Sequence, residues 1–195
     1  MNLLAHAYLS FNQPAILVGN MISDYVKGKS KFQYPEAIQK GIMLHRAIDE
    51  FTDNHLVTQQ AKKFFRPVYR LYAGAFMDVV YDHFLANDTN EFKDAASLDL
   101  FARSTYIHLE ENKMYLPPKF LQLLPFMKLQ NWLYHYKDRK GIEKSFAGLV
   151  HRSAYLQEST TAFAIFEKEH NALQQYYQAF FPSLKHFAKE RLQTD

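Results

Sequence analysis

The sequence contains no cysteine. That excludes thiol catalysis, cysteine-ligated zinc and any disulfide framework, and it accords with a reducing compartment. Glycine (6) and proline (7) are scarce, and no sustained alternation of β-branched residues occurs. A strand-rich fold built on tight turns is therefore not expected. Charge of one sign is also lacking. A formal net charge of +3 is too mild to argue for nucleic acid. The N-terminal stretch MNLLAHAYLSFNQPAILVGNMISDYVKG has no basic leader. Its apolar positions are interrupted by His6, Asn12 and Gln13, and Asp24 follows. Neither a signal peptide nor a membrane span reads this way, so the expectation is a cytoplasmic protein with no membrane partner. There is no internal repeat, low-complexity tract or linker.

What is present is apolar and aromatic. Hydrophobic residues make up 48% of the 195 residues and aromatics 16%, with 17 Phe and 13 Tyr. A chain of that length buries roughly two-thirds of its unfolded surface, enough for one domain over residues 1–195 without a structural metal. Apolar positions recur at three and four residues, the spacing of one helix face. Leu71, Ala75 and Val79 with Phe76, Val80 and Phe84 form one example. Phe163, Phe166, Leu173, Tyr177 and Phe180 form another. The expected fold is all-α, a single compact helical domain. Helices are predicted near 2–10, 14–27, 35–53, 57–65, 67–87, 94–113, 118–124, 126–136, 139–156 and 159–178. Pro14 and Pro35 suit first turns. Pro67 should break or kink the chain, and Pro117–Pro118 mark a loop.

The densest polar signal inside an apolar pattern is GIMLHRAIDEFTD, residues 41–53. Residues four apart lie roughly 40° apart around a helix axis, so His45, Asp49 and Asp53 form one stripe. Arg46 stands three before Asp49 and could pair with it. An imidazole and a carboxylate one turn apart can hold one ion. The second cluster is MDVVYDHFLA, residues 77–86, where Asp78 and Asp82 again lie one turn apart and His83 follows. Its neighbours are apolar, and a buried carboxylate must be paired or ligate a metal. Two such helices packed face to face could supply five or six ligands. His6 in the first helix and Asp24 in the second, one turn after Asn20, would also point inward if their neighbours are core residues.

Each residue has a plainer reading. A His–Asp pair at i, i+4 is commonly a surface salt bridge, and Asp53 could end one helix or cap the next. His55, His108, His170 and His186 lie among charged residues and read as surface; His135 lies in an aromatic stretch that reads as packing. His151–Arg152 could reach a phosphate or simply face solvent. Lys27, Lys29 and Lys31, and the group Lys62, Lys63, Arg66 and Arg70, are either a solvated face or a docking surface for an acidic partner.

The chain resembles the acyl carrier protein phosphodiesterase family. The resemblance rests on MNLLAHAYLS, GNMISDYVKG, GIMLHRAIDEFTDNH, FRPVYRLYAGAFMDVVYDHFLA and, more loosely, NWLYHYKDRKGIEKSFAGLVHR, spanning residues 1 to about 152. One departure is Asp88–Thr89, where the family pattern leads to a tryptophan-containing stretch. The family is a divergent relative of the His-Asp (HD) phosphohydrolases, so the resemblance implies an HD-phosphohydrolase-like helical fold. It implies removal of 4′-phosphopantetheine from holo-acyl carrier protein with manganese or magnesium, iron(II) being a further option. The implied metal residues are His6, Asp24, His45, Asp49, Asp78 and Asp82. His83, Arg46 and Asp53 are the expected catalytic residues: His83 or an adjacent Asp as proton shuttle, and Arg46 as a counter-charge to phosphoryl oxygen or as a group orienting a ligand carboxylate. The acidic carrier protein would dock on Lys27, Lys29, Lys62, Lys63, Arg66 and Arg70. Two other functions fit the spacing: hydrolysis of a nucleotide or small phosphoester, and a non-catalytic helical module for an acidic protein.

Overall fold

The chain folds as a computed structural model describing residues 1–194, and no strand occurs among them. The α-helices of that stretch are α1 (Leu3–Tyr8), α2 (Pro14–Ile22), α3 (Glu36–Asn54), α4 (Leu56–Ala61), α5 (Arg66–Tyr69) and α6 (Ala73–Ala86). They continue as α7 (Ala95–Glu111), α8 (Pro118–Leu129), α9 (Trp132–His135), α10 (Arg139–Arg152), α11 (Thr160–Lys168) and α12 (His170–Thr194). The all-α expectation holds, and so does the placement of Pro14 in a first turn. No helix among the described residues is long and apolar enough to cross a membrane.

Helix α6 is the hub. Eleven of its residues, from Ala73 to Ala86, are buried, which is why its sequence is apolar on every side rather than along one stripe. Helices α1, α10 and α12 pack on it, and α12 also covers α3 and α4. Aromatic rings fill the spaces between them. Phe76 meets Phe65 and Phe146, and Tyr81 stacks on Phe180.

Helices α2 and α3 meet through glycines. A Cβ at Gly19 would stand 2.1 Å from the Ile38 carbonyl oxygen, and one at Gly41 would stand 2.2 Å from that of Ile16. Only glycine allows this approach. The contact sets the next residue, Asn20, beside His45, one turn beyond Gly41.

Some boundaries differ from the sequence expectation. The helix predicted over 14–27 ends at Ile22 and continues as a 3-10 turn, Ser23–Tyr25. The helix predicted over 67–87 is split into α5 and α6, with Arg70 between them at φ 49°. Helix α8 runs through Pro125 and breaks instead near Asn131, at φ 43°. Likewise α12 runs through Pro182 to Thr194, where a stop near 178 was expected. Both prolines are exposed, so the carbonyl each one frees can meet water. Phe180, Phe181, Leu184 and Ala188 are buried and hold the second half of α12 in place.

Candidate metal centre

Two imidazoles form the middle of the site. His6 of α1 and His45 of α3 are buried and stack with ring centroids 3.8 Å apart and planes 15° from parallel. Asn20 of α2 fixes both. Its backbone carbonyl accepts from His45 Nδ1 at 2.7 Å. Its side-chain oxygen accepts from His6 Nδ1 at 2.8 Å. The Asn20 amide nitrogen donates to the His6 carbonyl (2.7 Å) and to Ser10 Oγ (3.1 Å), which settles which end of the amide faces the ring. A carbonyl can only accept, so Nδ1 carries the hydrogen in both rings, and Nε2 is the nitrogen that each ring, once neutral, has left for a metal.

Both Nε2 atoms converge on Asp49. His6 Nε2 lies 3.2 Å from Asp49 Oδ1 and His45 Nε2 lies 3.1 Å from Oδ2. His45 Nε2 is also 3.2 Å from Asp24 Oδ1. The His6 contact lacks hydrogen-bond alignment, and its Nε2 is buried with no other partner. An orphaned imidazole nitrogen, its ring locked through the other nitrogen, is the arrangement of a metal-ligating histidine. One donor atom each from His6, His45 and Asp49 falls within 4.8 Å of the others, a group that could hold a metal ion.

Electrostatics bind the cluster together. Burial and the neighbouring His45 hold His6 down to about 4. Burial also works against a charged His45, but hydrogen bonds and charge from Asp24 and Asp49 outweigh it and raise that ring to about 9. Burial opposes ionisation of Asp49 as well, yet His45, His6 and the Met1 ammonium keep its carboxyl far below the usual range. That ammonium lies 3.3 Å from Asp49 Oδ1 and 3.0 Å from Asp78 Oδ1. Asp78 therefore joins the cluster through a cation, at one remove from the histidines.

The other residues singled out in the sequence lie elsewhere. Asp82 is fully buried, and its carboxylate accepts from the backbone N–H groups of Asn2 (3.3 Å), Leu4 (2.7 Å) and Ala5 (3.3 Å). It anchors the start of α1. Burial raises Asp82 to about 7, against the pull of the Met1 ammonium and those three donors. His83, the next residue on α6, points away and donates through Nδ1 to the Tyr136 carbonyl at 2.8 Å. Its ring packs on Phe84, Phe166 and His170, so His170 is half-buried rather than on the surface as expected. Arg46 donates to the Val26 carbonyl at 2.9 Å and lines a separate groove with Phe51 and Phe187. Asp53 is held by Lys62 at 2.6 Å, and Lys62 is itself buried. Lys27, Lys29, Lys63, Arg66 and Arg70 are exposed.

A cavity of about 1200 Å³ opens onto this cluster, lined at its inner end by Met1, His6, Asn20, Asp24 and His45. Its outer walls come from α8, α9 and α10.

The acyl carrier protein phosphodiesterase family matches residues 1–184. The chain belongs to that family. An acyl carrier protein phosphodiesterase of Photorhabdus laumondii is 30% identical over 191 residues, covering 98% of this chain and 96% of the relative. Those of Serratia proteamaculans (30%) and Klebsiella pneumoniae (29%) align over the same share of this chain and 99% of their own. No solved structure matches the chain. Family membership brings a hydrolase acting on a phosphodiester to a cavity lined by both histidines of the His–His–Asp group.

Two participants carry no sequence signal. Asn20 orients both imidazoles, but a lone Asn in an apolar helix announces nothing; only its spacing from Gly19, at the helix crossing, is suggestive. The Met1 amine offers no pattern at all.

Proposed function

We propose that this protein is a metal-dependent phosphodiesterase that releases 4′-phosphopantetheine from the serine of holo-acyl carrier protein. The observation that carries the reading is the pair of Nε2 atoms, their rings locked by Asn20 and gathered with an Asp49 oxygen beside a large cavity. His6, His45 and Asp49 would hold the ion, with Asp24 adjacent and Asp78 balancing charge behind them. Two imidazoles and a carboxylate suit manganese or iron(II), and magnesium less well. A divalent ion bound there supplies Lewis acidity, polarising a phosphoryl oxygen and making a water more acidic.

The remaining work belongs to the chain. Asp24 is exposed to the cavity and hydrogen-bonded to His45, which holds its carboxyl below the usual range despite partial desolvation. An ionised carboxylate there can take the proton as water attacks phosphorus, and return it to the departing serine oxygen. The P–O bond to serine breaks, giving the apo-carrier protein and free 4′-phosphopantetheine. His83 and Asp82 enter this scheme as supports of the fold rather than as shuttle and ligand.

The test is to incubate metal-loaded protein with holo-carrier protein and weigh the carrier. Loss of the phosphopantetheine mass is expected, and His45→Ala should stop it while helical content stays. An unchanged carrier mass with folded, metal-loaded protein would remove the substrate assignment.

A further inference from the structure

The outer part of the cavity carries a charge pattern that the metal centre does not need. On α10, Lys140, Lys144, Gly148 and Arg152 are spaced by four, so they share one stripe of the helix, and all four line the cavity. Lys119 of α8 lines it as well. The three lysines and Arg152 are exposed, and none of them has an ion-pair partner among the described residues. Their neighbour Arg139 shows the contrast, being held by Glu167 at 2.7 Å. The acidic side chains of the cavity wall are already engaged. Asp24 is bound to His45, and Asp138 is bound to His135 at 2.7 Å. The glycine in the stripe has a role too. A Cβ at Gly148 would sit 3.4 Å from Arg152 Nη1, so the missing side chain is where the guanidinium lies back along α10.

Unpaired cations along one wall keep a positive potential there. From Lys140 to Arg152 the stripe extends about 18 Å along the helix axis. One phosphodiester cannot occupy that length, so whatever carries the diester must itself present an extended negative face. Beside the stripe the cavity is apolar, with Leu123, Trp132 and the largely exposed Leu129. Mixed cationic and apolar lining suits a folded acidic protein better than a nucleic-acid backbone.

We infer that the Lys140–Lys144–Arg152 face of α10, with Lys119 of α8, is the docking surface for an acidic face of the carrier protein beside its phosphodiester. This inference rests on the phosphodiesterase reading of the site. It moves docking away from Lys27, Lys29, Lys62, Lys63, Arg66 and Arg70, none of which lines the cavity. The stripe leads the modified serine toward His45 and Asp24, whereas those other cations do not border the opening.

The experiment titrates the full-length, metal-loaded protein with apo-carrier protein, which has no phosphodiester to cleave, so binding is read apart from turnover. In Lys140→Glu/Lys144→Glu the Kd is expected to weaken by about tenfold or more at low ionic strength, with the gap closing near about 0.5 M salt. Melting temperature and helical content report that the variant is folded. Lys27→Glu/Lys29→Glu should bind like the unmodified protein. The inference is overturned if the α10 variant binds unchanged, if the Lys27/Lys29 variant loses as much, or if the unmodified protein does not bind. It is equally overturned if a single-stranded oligonucleotide competes at the same affinity as the carrier. None of these outcomes depends on the product-mass test, which addresses the reaction alone.

Discussion

Asn20 makes the arrangement of two histidines possible. Three of its polar atoms are committed to His6, His45 and Ser10, all in the buried interior. In Asn20→Ala the backbone bond to His45 survives, but His6 Nδ1 loses its acceptor and the ring is free to turn. Loss of such an outer partner typically costs roughly 10–100-fold in metal affinity. A fall of that size in manganese affinity, measured by titration calorimetry, is expected, with His45→Ala falling further. His83 illustrates the opposite case: a histidine whose sequence position beside Asp82 suggested chemistry but whose ring serves packing. It donates to the Tyr136 carbonyl, and burial first, together with the nearby His170 and Arg139, lowers it to about 4. The folded-state value lies below the ordinary 6.5, so neutral His83 contributes stability above pH 6.5 that is lost as pH falls toward 4, about 3 kcal/mol in all. His83→Asn keeps a donor for the same carbonyl but cannot titrate. Urea unfolding across pH 4–7 should show a shallower acid slope for the variant, with phosphodiesterase activity within about threefold of the unmodified protein at pH 7. Loss of activity without loss of fold would return His83 to the reaction.

At the scale of helices, α1 is the element the site depends on most and the one least able to hold itself. Six residues cannot sustain an isolated helix. Its position comes from Asp82, whose carboxylate receives three N–H groups at the start of α1, and from Asn20, which ties down the His6 carbonyl. Asp82→Asn places an amide NH2 against backbone donors and removes the charge near the Met1 ammonium. Unfolding free energy is expected to drop by about 2–4 kcal/mol, and activity to fall because His6 rides on α1. Stoichiometric metal should still bind at saturating concentration. A loss of stoichiometry at unchanged stability would make Asp82 a ligand after all. The sequence made the carboxylate pattern legible, since Asp78 and Asp82 sit one turn apart in an apolar helix, but not its use. Spacing says that a buried carboxylate needs partners; it cannot say whether they are a metal or the backbone of another helix. The same limit explains the helix ends. Arg70 and Asn131 break the chain through positive φ values; asparagine tolerates that region but occupies many others, and arginine does not advertise it at all. Pro125 and Pro182 advertised breaks that packing overrode.

For the whole molecule, the question is whether an ion held by the candidate group would belong to the fold or only to the reaction. The core decides it. Aromatic and aliphatic residues from α1 to α12 form one continuous buried cluster, large beside the three side chains of the candidate ligand group. That much was readable from composition, because 48% apolar residues in 195 already suffice for a core. What composition could not reveal is that the cluster sits where α1, α2 and α3 converge. That convergence depends on two glycines at one helix crossing and on long-range bonds from α6. A core of that extent predicts a specific separation of effects. Chelation should abolish turnover while leaving the helical circular dichroism intact. It should also lower the melting temperature only by the mass-action share of the lost ligand. With manganese at a hundredfold excess over its Kd, that share is about 2.7 kcal/mol, or roughly 5–10 °C for a chain of this size. Differential scanning fluorimetry with and without manganese measures it, and in His45→Ala the shift should vanish. Unfolding of the unmodified protein on chelation at 25 °C would instead make the ion a structural element, holding α1 to α3 in place of the glycine crossing.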